Sequence, residues 1–126
     1  MSLDGTFCVS IADTILDFAN VVLCQFAEPP ALNVLQQTIE LAVSVWNAHV
    51  LAAPEWGQPE HLTELSRLIS ISSSPQMLAA FQALSEVRRA RFAADLRVVC
   101  EWQVTADDQG KTRFDCMARN PASKAS

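Results

Sequence analysis

His49 sits in the stretch "AVSVWNAHVL", Ala42 to Leu51, where a tryptophan and an asparagine stand side by side in an otherwise apolar run. An imidazole titrates near neutral pH, so it serves readily as a general base or a metal ligand. Either role requires a second polar group, and the nearest in sequence are Glu55, Glu60 and His61. These four residues make up a candidate ligand or metal site, with hydrolysis as its possible chemistry. The spacing does not strengthen that reading, because neither HxxxH nor HExxH occurs. A half-buried, satisfied histidine is the plainer alternative and the favoured one.

Three other groups invite a functional reading. Arg88, Arg89 and Arg91 in "RRARF", followed closely by Arg97, form a candidate anion or partner contact. The structural alternative is stronger, since arginines favour a helix C-terminus, where they offset the negative end of the dipole. Trp56 in "PEWGQP" is a candidate exposed anchor for a protein partner, or a plug folded back onto the core. Asp107 and Asp108 resemble half a calcium loop, yet they stand where a hairpin turn would place them. No glycine-rich phosphate loop is present, no GxSxG accompanies a base, and no cysteine is matched with a histidine and an acid. No catalytic residue and no cofactor is therefore assigned.

The elements that must position these residues are constrained by composition. A chain of 126 residues suits one domain, and a 50% apolar content is somewhat rich. The surplus has two outlets, a dense core or a subunit interface, and self-association is the expected use. A net charge of −5 argues against nucleic acid as a partner. The four cysteines are scattered without a CxxC pair, as expected of reduced thiols in a cytoplasmic protein. Asp13, Asp17 and Asn20 interrupt the apolar run from Phe7 to Phe26, and no basic region precedes it. That run is accordingly read as a buried helix, and no membrane association is expected.

Periodicity of three and four predicts helices over 6–27, 31–52, 59–71 and 75–93. In the second, Leu32, Leu35, Ile39, Val43, Trp46 and Val50 fall on one stripe, with Trp46 as a core anchor. Gln36, Glu40, Ser44 and Asn47 fall on another, read as the wet face, and His49 lies at the border of the buried arc. The pattern then changes to period two. Leu96, Val98, Cys100, Trp102 and Val104 alternate with polar residues, as do Phe114, Cys116 and Ala118. These two runs predict a β-hairpin over 96–119, with Trp102 a second core anchor and 120–126 a flexible tail. Because both apolar sets must share one face, the loop must have an odd length. Three residues, Asp108-Gln109-Gly110 with Gly110 left-handed, is the preferred solution. A five-residue loop would instead set Cys100 opposite Cys116, leaving a disulfide open.

The segments "TIELAVSVWNAHVLA" (Thr38 to Ala52) and "RFAADLRVVCEWQVT" (Arg91 to Thr105) together resemble a group of small bacterial proteins of uncharacterised function. Those proteins combine a VWNA-bearing helix with a closing hairpin. The resemblance implies a fold and no catalytic residues. The expected architecture is α+β and mainly α, a four-helix core followed by a C-terminal antiparallel hairpin in a single domain. The expected function is a non-enzymatic interaction or assembly module, homodimeric through its hairpin. The alternative is a ligand-binding or metal-binding protein centred on His49.

Overall fold

The computed structural model describes residues 10–28, 30–72 and 74–120, with Ser72 described by its backbone alone. Within them, α1 (Ile11–Leu23), α2 (Leu32–Ala52), α3 (Glu60–Ser72) and α4 (Pro75–Arg91) precede β1 (Val98–Ala106) and β2 (Thr112–Arg119). This is the α+β architecture expected from the alternation of periods. The expected start of the first helix at residue 6 lies outside the described residues, as does the tail beyond residue 120. Helix α1 opens on Ser10, whose side chain accepts a hydrogen bond from the Asp13 amide at 3.0 Å. It ends at Leu23, short of residue 27, because the amides of Gln25 and Phe26 turn to carbonyls three residues back ahead of Pro30. Helix α4 repeats the N-terminal device, with Ser74 accepting from the Met77 amide and Pro75 in the first turn.

The core is built around Trp46, the largest side chain wholly out of solvent. Its ring meets Phe18 at 5.3 Å and Phe92 at 5.5 Å between centroids, both edge to face. Ile15, Ile39, Val45, Val50 and Leu84 complete the interior. Helix α2 thereby packs against the other three helices and against β1, while α1 packs against β2.

The hairpin keeps the three-residue loop. Asp107 donates its amide to Lys111 at 2.9 Å, Gly110 donates to Asp107, and Gly110 has φ +80°. The pairs run from Ala106 with Thr112 to Glu101 with Met117, and a bulge between Val99 and Glu101 then shifts the register. The period-two reading put Cys100 on the apolar face; the bulge corrects it. Val98 and Val99 are both buried while Cys100 is exposed, because the extra residue reverses the alternation. Cys116 faces Trp102 across the ladder, and Cys24, Cys100 and Cys116 are free thiols.

The outer edges of the two strands are treated differently. The bond closing the turn makes Asp107 and Lys111 face each other, so the odd-numbered pairs exchange bonds and even-numbered residues point outward up to the bulge. On β1 those outward groups meet side chains from the helical layer. Gln36 donates to the Val104 carbonyl at 3.0 Å. Asn47 grips Val99 twice, donating to its carbonyl at 2.9 Å and accepting from its amide at 2.8 Å. Before the strand, Trp46 donates to Arg97 and Trp56 to Leu96. The wet-face reading of Gln36 and Asn47 is thus corrected: that side of α2 faces a strand edge and supplies its missing partners. On β2, by contrast, Thr112, Phe114, Cys116 and Ala118 direct their amides and carbonyls away from β1, and no partner for them lies among the described residues.

Candidate functional site

Helix α2 carries His49 at its C-terminal end, opposite α3 and α4. Residues 62 and 66 of α3, one turn apart, face the same side, as do 81, 82, 85, 86 and 89 of α4. Together they line an open hollow of about 410 Å³. Leu62 and Phe81 supply apolar wall; Ser66 and Gln82 stand at its polar border. The chemistry lies in His49, Ser85, Glu86 and Arg89.

Two atoms of this hollow lack partners. The His49 Nε2 and the Ser85 Oγ are both buried with no hydrogen-bond partner. Buried polar atoms are rarely left so. The contrast within the chain is informative, since Thr38 and Ser70 return their hydroxyls to the carbonyls of Val34 and Ser66, four residues back, whereas Ser85 does not. The His49 pKa is lowered from its ordinary 6.5 to about 4, chiefly by burial and then, in the same direction, by the charges of Arg89 and Arg88. At neutral pH the ring is therefore uncharged and offers one donor and one acceptor.

The remaining sequence-derived candidates are dispersed. Glu55 and Glu60 are exposed, and His61 is exposed and bonded to Gln58 at 3.2 Å. His61 lies along a separate depression of about 390 Å³ with Glu64 and Leu68. The separation follows from helical geometry: residues 61, 65 and 68 share one flank of α3, while 62 and 66 share the other. Among the described residues no three His, Cys, Asp or Glu side chains gather in a way that could hold a metal ion.

The basic cluster divides into three roles. Arg88 is buried and bridges the carbonyls of Phe92 and Asp95, with its guanidinium 4.4 Å from the Trp46 ring centroid. Burial lowers its pKa, opposed by the charge of Asp95. Arg91 reaches Asp17 on α1 at 3.0 Å. Arg89 alone of the three lines the hollow. Trp56 is partly buried against the core and donates to Leu96 at 2.8 Å, so its ring closes the end of the helical layer. Trp102 packs partly buried beside Phe114.

Sequence reasoning did not find Ser85. Its only signal was a serine among the buried positions of α4, in step with Phe81 and Arg88 at helical spacing. No protein-family model matches this chain, and neither the curated proteins nor the solved structures contain a match. Among the described residues no helix is long and apolar enough to cross a membrane.

Proposed function

We propose that the protein is a non-enzymatic, cytoplasmic assembly module that forms a homodimer by pairing the outer edge of β2 with the same edge of a second copy. The observation that carries this is the asymmetry of the hairpin: among the described residues, β1 has its edge bonded by side chains of α2, and β2 does not. An unprotected edge strand is a template for another strand. Free thiols at Cys24, Cys100 and Cys116 fit a reducing compartment.

Geometry and charge narrow the pairing. Outward residues of the two copies must meet, so the two-fold axis passes through a residue of β2 and not between two. An axis through Arg113 or Asp115 sets like charges on themselves, and one through Cys116 sets Arg113 against Arg119 of the other copy. An axis through Phe114 matches Asp115 with Arg113 of the other copy; an axis through Met117 matches it with Arg119. In both favourable alignments Asp115 meets an arginine. Each such cross-strand pair contributes about 0.2–1 kcal/mol and symmetry doubles it, while strand bonds add about 0.5–1.5 kcal/mol each. After the cost of association, a dissociation constant on the order of micromolar is expected.

Sedimentation of the wild-type chain and of Asp115→Arg provides the test. The wild type should associate reversibly with rising concentration, and the single charge reversal should be monomeric. Arg113→Asp combined with Asp115→Arg restores the dimer if the axis lies at Phe114; Asp115→Arg combined with Arg119→Asp restores it if the axis lies at Met117. A wild type that stays monomeric at high micromolar concentration, or two double variants that both fail while folded, would overturn the reading.

A further inference from the structure

The hollow beside His49 is independent of the hairpin edge, and its parts make a coherent recognition site. We propose that it binds a small organic monocarboxylate with a compact apolar body. Arg89 supplies the counter-charge at the rim, and its guanidinium suits a carboxylate in both shape and charge. Ser85 Oγ and His49 Nε2 are both without partners, and a carboxylate has lone pairs for the hydroxyl and for the imidazole in the tautomer protonated at Nε2. Ser85 is 5% exposed, so its hydroxyl is held at the base of the site and turns toward the ligand by rotation about χ1. Leu62 and Phe81 give the apolar body its wall. Glu86, three residues before Arg89 on the same helix, sets the limit on charge: it disfavours a second carboxylate on the ligand. A volume of about 410 Å³ admits a molecule of this size.

The orphaned hydroxyl also gives the proposal a signature that a purely structural serine lacks. A buried donor kept unpaired in the free protein is a liability to stability, and it becomes useful only when a ligand arrives. Ser85→Ala should therefore raise the melting temperature of the free protein while weakening the ligand. A serine already satisfied by a resident water would show the reverse, a lower melting temperature with binding unaffected.

The experiment uses 3-phenylpropionate as the probe and 3-phenylpropanamide as its uncharged isostere, read by the ring resonances of His49 in the 126-residue chain. The carboxylate should move those resonances saturably, and the amide should bind about tenfold more weakly or worse, as expected for the loss of a charge-assisted bond. Arg89→Gln, at an exposed position where folding is not at stake, should weaken the carboxylate by a similar factor and leave the amide unchanged. The proposal is overturned if 3-phenylpropionate gives no saturable shift, or if the amide binds equally well. It is also overturned if Arg89→Gln has no effect, or if Ser85→Ala lowers the melting temperature without changing affinity.

Discussion

Asn47 shows how a residue can be located correctly and still be misjudged. Helical spacing put it on the stripe with Gln36, away from the apolar one, and the structure keeps it there. What spacing cannot report is which element lies against that stripe. Here it is a strand arriving from more than fifty residues further along the chain, and Asn47 supplies both bonds that Val99 would exchange with a neighbouring strand. Asn47→Ala should cost about 2–3 kcal/mol, because two bonds go and a part-buried amide and carbonyl are left unpaired. Asn47→Asp should fall between, since a carboxylate still accepts from the Val99 amide and has nothing to offer its carbonyl. Urea unfolding midpoints at constant slope would rank the three proteins. His49 was legible as the residue of interest, but not the residues that line the hollow with it, because Ser85 and Arg89 approach from α4. Its pH dependence follows from the lowered pKa. The unfolded chain takes up a proton near pH 6.5 and the folded one near pH 4, so acidification favours unfolding across that window. The loss begins below about pH 7 and is complete once the folded ring, facing Arg88, Arg89 and Glu86, is also protonated. His49→Gln should flatten the difference in stability between pH 7.5 and pH 5.5, as measured by urea unfolding at each pH.

At the level of elements, the four helices and the hairpin were legible because each carries a strong local signal: a period, a serine cap, a proline or a turn. The two features that escaped arise from contacts between elements. One is the bulge at Cys100, which lets Val98 and Val99 both enter the core and brings Val99 to Asn47. The other is the way α4 ends. The carbonyls of Phe92, the residue that caps it, and of Asp95 in the following turn are gathered by Arg88, a residue that composition alone would place on the surface. Arg88→Met keeps the length of the stem and removes the fork. It should destabilise by about 1–3 kcal/mol, a net figure in which the lost bonds outweigh relief of the buried charge. The turn gives a cleaner test. Gly110 has φ +80°, and a Cβ there would meet no atom within 4 Å. Gly110→Ala should therefore cost only the backbone term, about 1–2 kcal/mol, visible as a lower melting temperature without a change in far-ultraviolet circular dichroism.

For the whole molecule, the proposed self-association would make stability depend on concentration. If two copies pair through β2, the dimer is the species that unfolding must break, and mass action raises the melting temperature as the protein is concentrated. A tenfold rise in concentration above the dissociation constant adds at most about 1.4 kcal/mol per dimer. A domain of this size responds by about 2–6 °C per kcal/mol, so the displacement is measurable and modest. The same scan on Asp115→Arg should show a melting temperature that does not move with concentration, and at high dilution the wild type should converge towards it. Arg113 and Asp115 also pair within one chain, at 3.1 Å on an exposed surface, and that contact is worth little by itself. The two effects therefore separate. Loss of the intrachain pair lowers both ends of the wild-type curve by the same small amount, whereas loss of the dimer removes its slope. A wild-type curve that is flat across the whole range would leave the apolar surplus with the core as its outlet and β2 as an edge that no copy covers.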